Sequence, residues 1–516
     1  MRRHCEAPSA EAIQSFRAER CWIASQALAM TVSLAGSAHA PHGSKCYALP
    51  MTSSADIEEA SIAPAPASYL ARELWETIRL AAPMALTQLG QIAMTTTDLA
   101  WIGRLGEQAV AGAALAATIY FVSFTIGLGV VSAVAPLAAQ AFGARDPRRV
   151  RRATRVGLWA AVLISLPMMT VPLYGEEILR LLGQADAPAR LAQDYLLGLV
   201  WGATPALWLI AIRGFMGALN RPEPVLWITL AAIPTNALLA YLLIYGVWGL
   251  PRLGLFGAGL GTTLVNVAMF LAGLWFAVTR RPFKKYHVFG RIWRIDWAMM
   301  RDLIATGVPI SIALLMEFGL FSSAALLCGL IGTTAIAANQ IALQVTTILF
   351  MVQLGIALAT TVRVGHAVGR NDPPAVRRAG FTAMLLGIVL ASILTLIVIV
   401  WRSAIGLIFL GAAAADAQAT IDLVATLLVV GATLFITDGL QTIAAGALRG
   451  MKDTRMPLVF ALIGYWLVGF PSAWVLAFHA GLGAVGVWIG ISVGTSVYAA
   501  LLILRFHLLA NRFGSA

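Results

Sequence analysis

Apolar residues fill most of the chain in long blocks, and short turns rich in Gly, Pro and Arg separate them. A helix needs about 20 apolar residues to cross the hydrocarbon of a bilayer. The blocks predict twelve such helices, at 78–102, 110–141, 154–174, 191–213, 222–246, 254–278, 302–330, 335–367, 379–409, 419–447, 456–478 and 483–507. Lipid leaves only helices and closed barrels to satisfy the backbone. The runs are continuous and do not alternate, so the spans are helical.

The pattern repeats. With the chain slid by 226 positions and no gap, Pro83 meets Pro309, Gly103 meets Gly329, Gly106 meets Gly332 and Gly129 meets Gly355. In the same register Gly143-x-x-Asp146-Pro147 meets Gly369-x-x-Asp372-Pro373, and Arg151-Arg152 meets Arg377-Arg378. Six spans per unit is an even number, so both copies enter the membrane in the same sense, the parallel arrangement known among secondary transporters. The expected organisation is an N-terminal extension (1–74), a first lobe (75–279), a linker (280–300), a second lobe (301–510) and a short tail (511–516).

Composition agrees with a membrane protein. Of 516 residues 59% are hydrophobic and 12% charged, and mean hydropathy is +0.81; soluble domains carry about 25% charged residues. The net charge of +12 does not point to nucleic acid, because the basic residues gather in alternate loops. Loop 143–155 holds Arg145, Arg148, Arg149, Arg151, Arg152 and Arg155, and loop 279–297 holds Arg280, Arg281, Lys284, Lys285, Arg291 and Arg294. The turns near 213–224, 369–378 and 449–455 add more, whereas the intervening loops carry only Arg104, Arg180, Arg190, Arg252 and Arg402. The positive-inside rule places the basic loops and both termini in the cytoplasm, and the expected location is the cell inner membrane. Cys5, Cys21, Cys46 and Cys328 have no zinc or disulfide spacing.

Before the first span, Arg2, Arg3, the apolar stretch around Ala27–Ala35 and Ala38-His39-Ala40 imitate a secretory signal. A multi-span protein needs no cleaved signal, and the reading favours Met51 as the functional start, with 51–70 a disordered tail.

Three acids stand out: Asp98, Glu317 and Asp438 each sit in an apolar helix. A charge at bilayer depth costs about 3 kcal/mol on insertion scales, so a chain that keeps one pairs it or uses it. Glu317 faces Gln91 in the repeat register and Asp98 faces Ala324, so the backbone plan does not require these acids. The bland alternative is pairing with Arg363 or His366, which lie nearer a helix end. A desolvated carboxyl favours its protonated form and yields the proton when a cation or water arrives, so proton, Na⁺ and a cationic guest compete for one charge. The expectation is that the three acids surround a central cavity. Candidate lining residues are Gln91, Asn236, Phe318, Asn339, Gln340 and Tyr465, with Tyr120, Trp208, Tyr241, Phe321 and Trp466 as further aromatics. Membrane amides more commonly join helices and aromatics more commonly pack. His366 reads as a satisfied helix-end residue. Pro83, Pro136, Pro205, Pro234, Pro309 and Pro471 are expected to mark kinks. No His-Glu-x-x-His or Gly-x-x-x-x-Gly-Lys motif occurs, so the reading is a non-enzyme without cofactor, driven by an ion gradient.

Several segments together resemble the multidrug and toxic compound extrusion (MATE) family, in its NorM-like bacterial branch. They are Thr97-Asp98-Leu-Ala-Trp-Ile-Gly103, Met316-Glu317-Phe-Gly-Leu-Phe321, Ala337-Ala-Asn-Gln340, Thr361-Val-Arg363-Val-Gly-His366-Ala-Val-Gly369, and Thr437-Asp438 through Ala447-Leu-Arg449-Gly-Met-Lys-Asp453-Thr454. The resemblance implies two six-helix lobes around a V-shaped cavity and antiport of amphipathic organic cations against Na⁺ or H⁺. It assigns Asp98 to the first lobe's cavity, and Glu317 and Asp438 to a cation site in the second, which makes those two the Na⁺ candidates. Some relatives place an acid one turn after the residue matching Asn236; here that position is Ala240, which favours the second lobe as the coupling site. The expected partners are small cationic molecules and the bilayer, with no nucleic acid, and the chain is expected to be a monomer. Two rivals are a flippase for lipid-linked saccharides, whose phosphate-handling cavity needs Arg or Lys, and a non-transporting membrane receptor or scaffold.

Overall fold

Twice in the chain a Gly-x-x-Asp-Pro turn ends one long helix and starts the next, and the two turns have the same conformation. Arg145 and Asn371, 226 positions apart, are both left-handed at φ 56°. Arg145 N donates to Phe142 O at 3.0 Å and Asn371 N to Val368 O at 3.0 Å, which closes each helix. Asp146 then accepts from Arg149 N at 2.9 Å and Asp372 from Ala375 N at 3.0 Å, so each carboxylate caps the next helix, with proline at its first position.

The computed structural model describes residues 66–512, apart from residues 250, 289, 291–292 and 411–416. The first half contains α1 (Pro66–Gly103), α2 (Glu107–Ser132), α3 (Val134–Gly143), α4 (Pro147–Leu173), the short α5 (Gly175–Leu181), α6 (Asp186–Val200), α7 (Ala203–Ala218), α8 (Glu223–Tyr245) and α9 (Gly254–Thr279). The second contains α10 (Trp297–Ile331), α11 (Thr333–Gly369), α12 (Pro373–Val400), α13 (Arg402–Leu410), α14 (Ala417–Val430), α15 (Ala432–Gly450), α16 (Arg455–His479) and α17 (Gly483–Arg512). Among the described residues nine spans are long and apolar enough to cross a membrane, with α2 and α3 counted as one, and two bent pairs bring the number to eleven. Helix α1, diluted by Gln88, Gln91 and the Thr95–Thr97 run, completes the expected twelve.

Two expectations need correction. Helix α1 already runs from Pro66, so residues 66–74 are helical and not a loose extension. Residues 1–65 and 513–516, including the signal-like stretch, Met51 and three of the cysteines, lie outside the described residues. The sharp bends only partly follow the prolines. Helix α6 meets α7 at 47° across Trp201–Gly202, just before Pro205, which has no N–H to return to Trp201 O, whereas α14 meets α15 at 47° at Gly431 with no proline beside it. Gly202 packs under Thr263 and Gly431 against Trp488, so a small residue lets a neighbouring side chain wedge into the break. Pro83, Pro234 and Pro309 are accommodated inside single helices.

The repeats are knitted together by reciprocal close approaches. A Cβ on Gly129 would collide with the backbone of Ser311, and one on Gly355 with the backbone of Ala85; 129 maps to 355 and 85 to 311 in the repeat register. Likewise a Cβ on Gly143 would strike His366 O, and one on Gly369 would strike Gln140 O. Polar bonds reinforce the same seam. Gln140 Nε2 donates to Gly450 O at 2.8 Å, Ser311 Oγ to Ile126 O at 2.7 Å, and Arg152 pairs with Asp296 at 3.2 Å. His366 Nε2 is 2.7 Å from Ala218 O, and Arg363 pairs with Glu73, donates to Thr77 and reaches Glu76 at 3.1 Å. Apart from the Ser311–Ile126 bond, which lies deeper along α10 and α2, these bonds cluster at the end of the bundle that carries the Arg- and Lys-rich turns. Burial pushes the Lys452 ammonium in one of those turns below its usual range, Arg149 of the first repeat adds to the shift, and Asp302 opposes it.

Candidate functional site

Helices α10 and α15 carry Glu317 and Asp438 to a common point. Asp438 is 2% exposed and Gln441, one turn along the same helix, 1%. The i, i+3 spacing puts both on one helix face. Gln441 Nε2 donates to Asp438 Oδ1 at 2.8 Å and also faces Glu317 Oε1 at 3.4 Å. One amide thus bridges two carboxyl groups. Arg449, two turns further along α15, is the cation within electrostatic reach of Glu317.

Helix α16 closes the site from another side. It is wound in wide π turns over Leu462–Gly469 and Val475–His479, where Gly464 and Gly469 lie against Gly494 and Tyr498 of α17. Such windings are frequent at functional sites. Here the winding buries Tyr465 to 1% exposure, with its ring 4.8 Å from Tyr498. Tyr465 Oη lies beside the Gln441 side chain, and by strict geometry both Tyr465 Oη and Gln441 Oε1 are buried without a hydrogen-bond partner. Unmatched buried polar atoms are costly. Two carboxyls, an orphaned amide oxygen and a phenol form a set of hard oxygen donors, the type that suits a proton or an alkali cation. Among the described residues no three His, Cys, Asp or Glu side chains gather as a metal site.

Asp98 does not join this group. Its partners belong to the first repeat: Asn236 Nδ2 donates to Oδ1 at 2.5 Å and Thr262 Oγ1 to Oδ2 at 3.1 Å, with Tyr195 within electrostatic reach. Neutral donors therefore surround this acid, which is 6% exposed. Ala240, on the next turn after Asn236, is fully buried and supplies no second carboxylate. The acids thus occupy two sites, one per repeat, Asp98 in the first and Glu317 with Asp438 in the second.

A model of the MatE family matches this chain twice, over residues 83–242 and 309–475. The two matches begin on Pro83 and Pro309, the pair that sets the 226-residue register. The chain belongs to the MatE family. Its relatives include the probable multidrug resistance protein NorM of Bradyrhizobium diazoefficiens, 67% identical over 87% of this chain and 96% of the relative. Another is the multidrug resistance protein NorM of Burkholderia vietnamiensis, 39% identical over 86% of this chain and 96% of that protein. Among solved structures, the fold is similar to a eukaryotic MATE transporter (TM-score 0.76, 23% identity, 86% of this chain and 98% of that one). It is also similar to a multidrug resistance MATE family transporter in an outward-facing conformation (TM-score 0.78, 19% identity, 86% and 97%).

Within this MatE chain the remaining candidates separate. Arg363 and His366 are engaged elsewhere, by Glu73, Glu76 and Thr77 and by Ala218 O and the Phe142 ring, so they do not neutralise the acids. Phe318 packs against Phe121 of the other repeat, the ring centroids 4.8 Å apart and the planes tilted by 40°. Asn339 is buried but accepts from Trp488 Nε1 at 3.0 Å, away from the acid pair's own bonds. Gln91 and Gln340 are exposed and make none of the bonds that organise either site. Gln441, Arg449, Thr262 and Tyr498 were not singled out by sequence reasoning. The three-residue spacing from Asp438 was a usable signal for Gln441; Arg449 was hidden among the basic turn residues that write topology.

Proposed function

We propose that this MatE protein is a multidrug efflux antiporter that expels amphipathic organic cations in exchange for Na⁺ or H⁺. The names of its relatives support multidrug efflux, and the geometry of the acid pair supports the exchange. The observation that carries the reading is the Gln441 amide bridging Asp438 and Glu317. With Arg449 as a permanent cation nearby, two ionised carboxylates leave the cluster one negative charge in excess. One proton, one Na⁺ or one monocationic guest neutralises it, so their binding is mutually exclusive.

The basic end of the bundle faces the cytoplasm of a cell bounded by an inner membrane, by the positive-inside rule. The glycine seam is then the inner gate, and it is closed in this conformation. An ion that favours this state promotes release of the guest outside; a guest bound from inside expels the ion. The shift in population is no larger than the difference in each ligand's affinity for the two states. Ethidium accumulation in cells tests the reading: Asp438→Asn and Glu317→Gln should abolish gradient-dependent efflux while the protein stays in the membrane. Normal efflux by both variants removes the mechanism.

A further inference from the structure

The repeat that builds the fold is broken at one place on the basic end. In the first repeat, the turn that begins α4 is covered by the segment joining the two halves. Arg152 pairs with Asp296 at 3.2 Å, and Arg155 Nη1 donates to Gly290 O at 3.3 Å. In the second repeat the corresponding turn begins α12, and the corresponding place is a cavity of about 830 Å³ between the start of α12 and the end of α17.

We propose that this cavity binds the phosphate of an anionic phospholipid from the leaflet at the basic end. Arg377, Arg378, Thr382 and Asn511 line it with donors, and Phe381 and Pro374 give it an apolar wall. Arg378 is held by Glu73 of α1 at 3.8 Å, while Arg377 is exposed. The register aligns these arginines with Arg151 and Arg152; in the first repeat the linker contributes a carboxylate and a carbonyl, whereas among the described residues lining the second the charged groups are the two arginines, with Glu73 reaching Arg378. Arginine matches phosphate geometry with paired donors, and basic pockets between membrane helices on the cytoplasmic side bind anionic headgroups. The site lies where a headgroup sits, at the end of two membrane-spanning helices, and its mixed lining suits a molecule with a charged head and a glycerol backbone. A cationic efflux substrate is excluded by the two arginines. Because Arg378 also contacts α1 of the first repeat, a bound lipid would brace the inner gate from the side.

The test is native mass spectrometry of the purified full chain, released from detergent after incubation with phosphatidylglycerol or with phosphatidylcholine of the same acyl chains. Phosphatidylglycerol adducts should predominate. A basic residue near an anionic surface contributes enough that Arg377→Gln should reduce them about fivefold. Arg377→Lys should retain most of them. Arg148→Gln, the same charge loss at an exposed position on the turn starting α4, should leave them unchanged. Equal retention by Arg377→Gln, or an equal loss in Arg148→Gln, overturns the site. If inorganic phosphate displaces the lipid and itself stabilises the protein in an Arg377-dependent way, the ligand is a soluble anion and the lipid assignment falls.

Discussion

Glu317 and Asp438 stand on different helices yet share one amide: Gln441 Nε2 is 2.8 Å from Asp438 Oδ1 and 3.4 Å from Glu317 Oε1. The amide nitrogen has two hydrogens, so it can serve both carboxyls without charge. Removing it leaves two acids with nothing to hold them in register.

Gln441→Leu should therefore impair coupling while the fold persists. A hydrogen bond to a charged group contributes about 1.5–3 kcal/mol, so the apparent affinity for the coupling ion should fall about tenfold or more. The readout is ion-dependent thermal stabilisation of purified protein, which does not depend on transport. Gln441→Glu keeps the shape but adds a third acid, and should shift ion dependence rather than restore it.

The reciprocal glycines make a symmetry prediction. Gly143→Ala and Gly369→Ala each place a methyl against a carbonyl of the other repeat. Overpacking costs about 1–3 kcal/mol. Both should weaken closure at the basic end, and by similar amounts, read as increased labelling of a cysteine introduced at Gln140. Gly103→Ala, with open space around its Cα, should change nothing.

The capping acids are a second matched pair. Asp146→Ala and Asp372→Ala should each cost about 1 kcal/mol of stability, measured as a lowered melting temperature. Because each cap begins a helix just after a seam glycine, the same variants should also loosen the seam.

The Lys452 ammonium is disfavoured where it sits, since burial and Arg149 both lower its affinity for a proton. A group with a depressed folded pKa favours the folded state more as pH rises from the folded value towards its model value of 10.5, where the unfolded side chain sheds its proton. A neutral replacement, Lys452→Gln, should mimic that gain at neutral pH. The expected result is a higher melting temperature and a pH dependence flatter than wild type on the alkaline side.

Much of the architecture could be read from residue spacing because it is local. The Asp-Pro caps and the basic turns depend on residues close together in the chain, and because each recurs 226 positions on, the left-handed Arg145 and Asn371 repeat even in φ. The seam was not legible. Gln140 with Gly450 and Arg363 with Glu73 are 310 and 290 positions apart, and no periodicity announces which residues cross. The site was half legible: isolated carboxyls betray themselves by their cost in lipid and Tyr465 stood among the candidate lining residues, whereas Gln441 looks like an ordinary helix-joining amide until the fold sets it between Asp438 and Glu317. Of the two 47° bends, the one beside Pro205 was legible, and the one at Gly431 escaped because a small residue against Trp488, not a proline, creates it.

Asp98 gives a contrast between the repeats. Asn236 and Thr262 donate to it, and Asp98→Asn keeps an acceptor for one of them. The variant should fold, retain ion-dependent stabilisation by the second-repeat pair, and lose part of its efflux. Complete loss of ion-dependent stabilisation would move the coupling site to the first repeat.

The most direct measurement is uptake of a fluorescent organic cation into proteoliposomes under an imposed Na⁺ or proton gradient, applied one at a time. Wild type should concentrate the cation under at least one gradient, and Glu317→Gln and Asp438→Asn should each abolish that response. Gradient-driven uptake that survives in both variants would contradict the assignment of the exchanged charge to this pair.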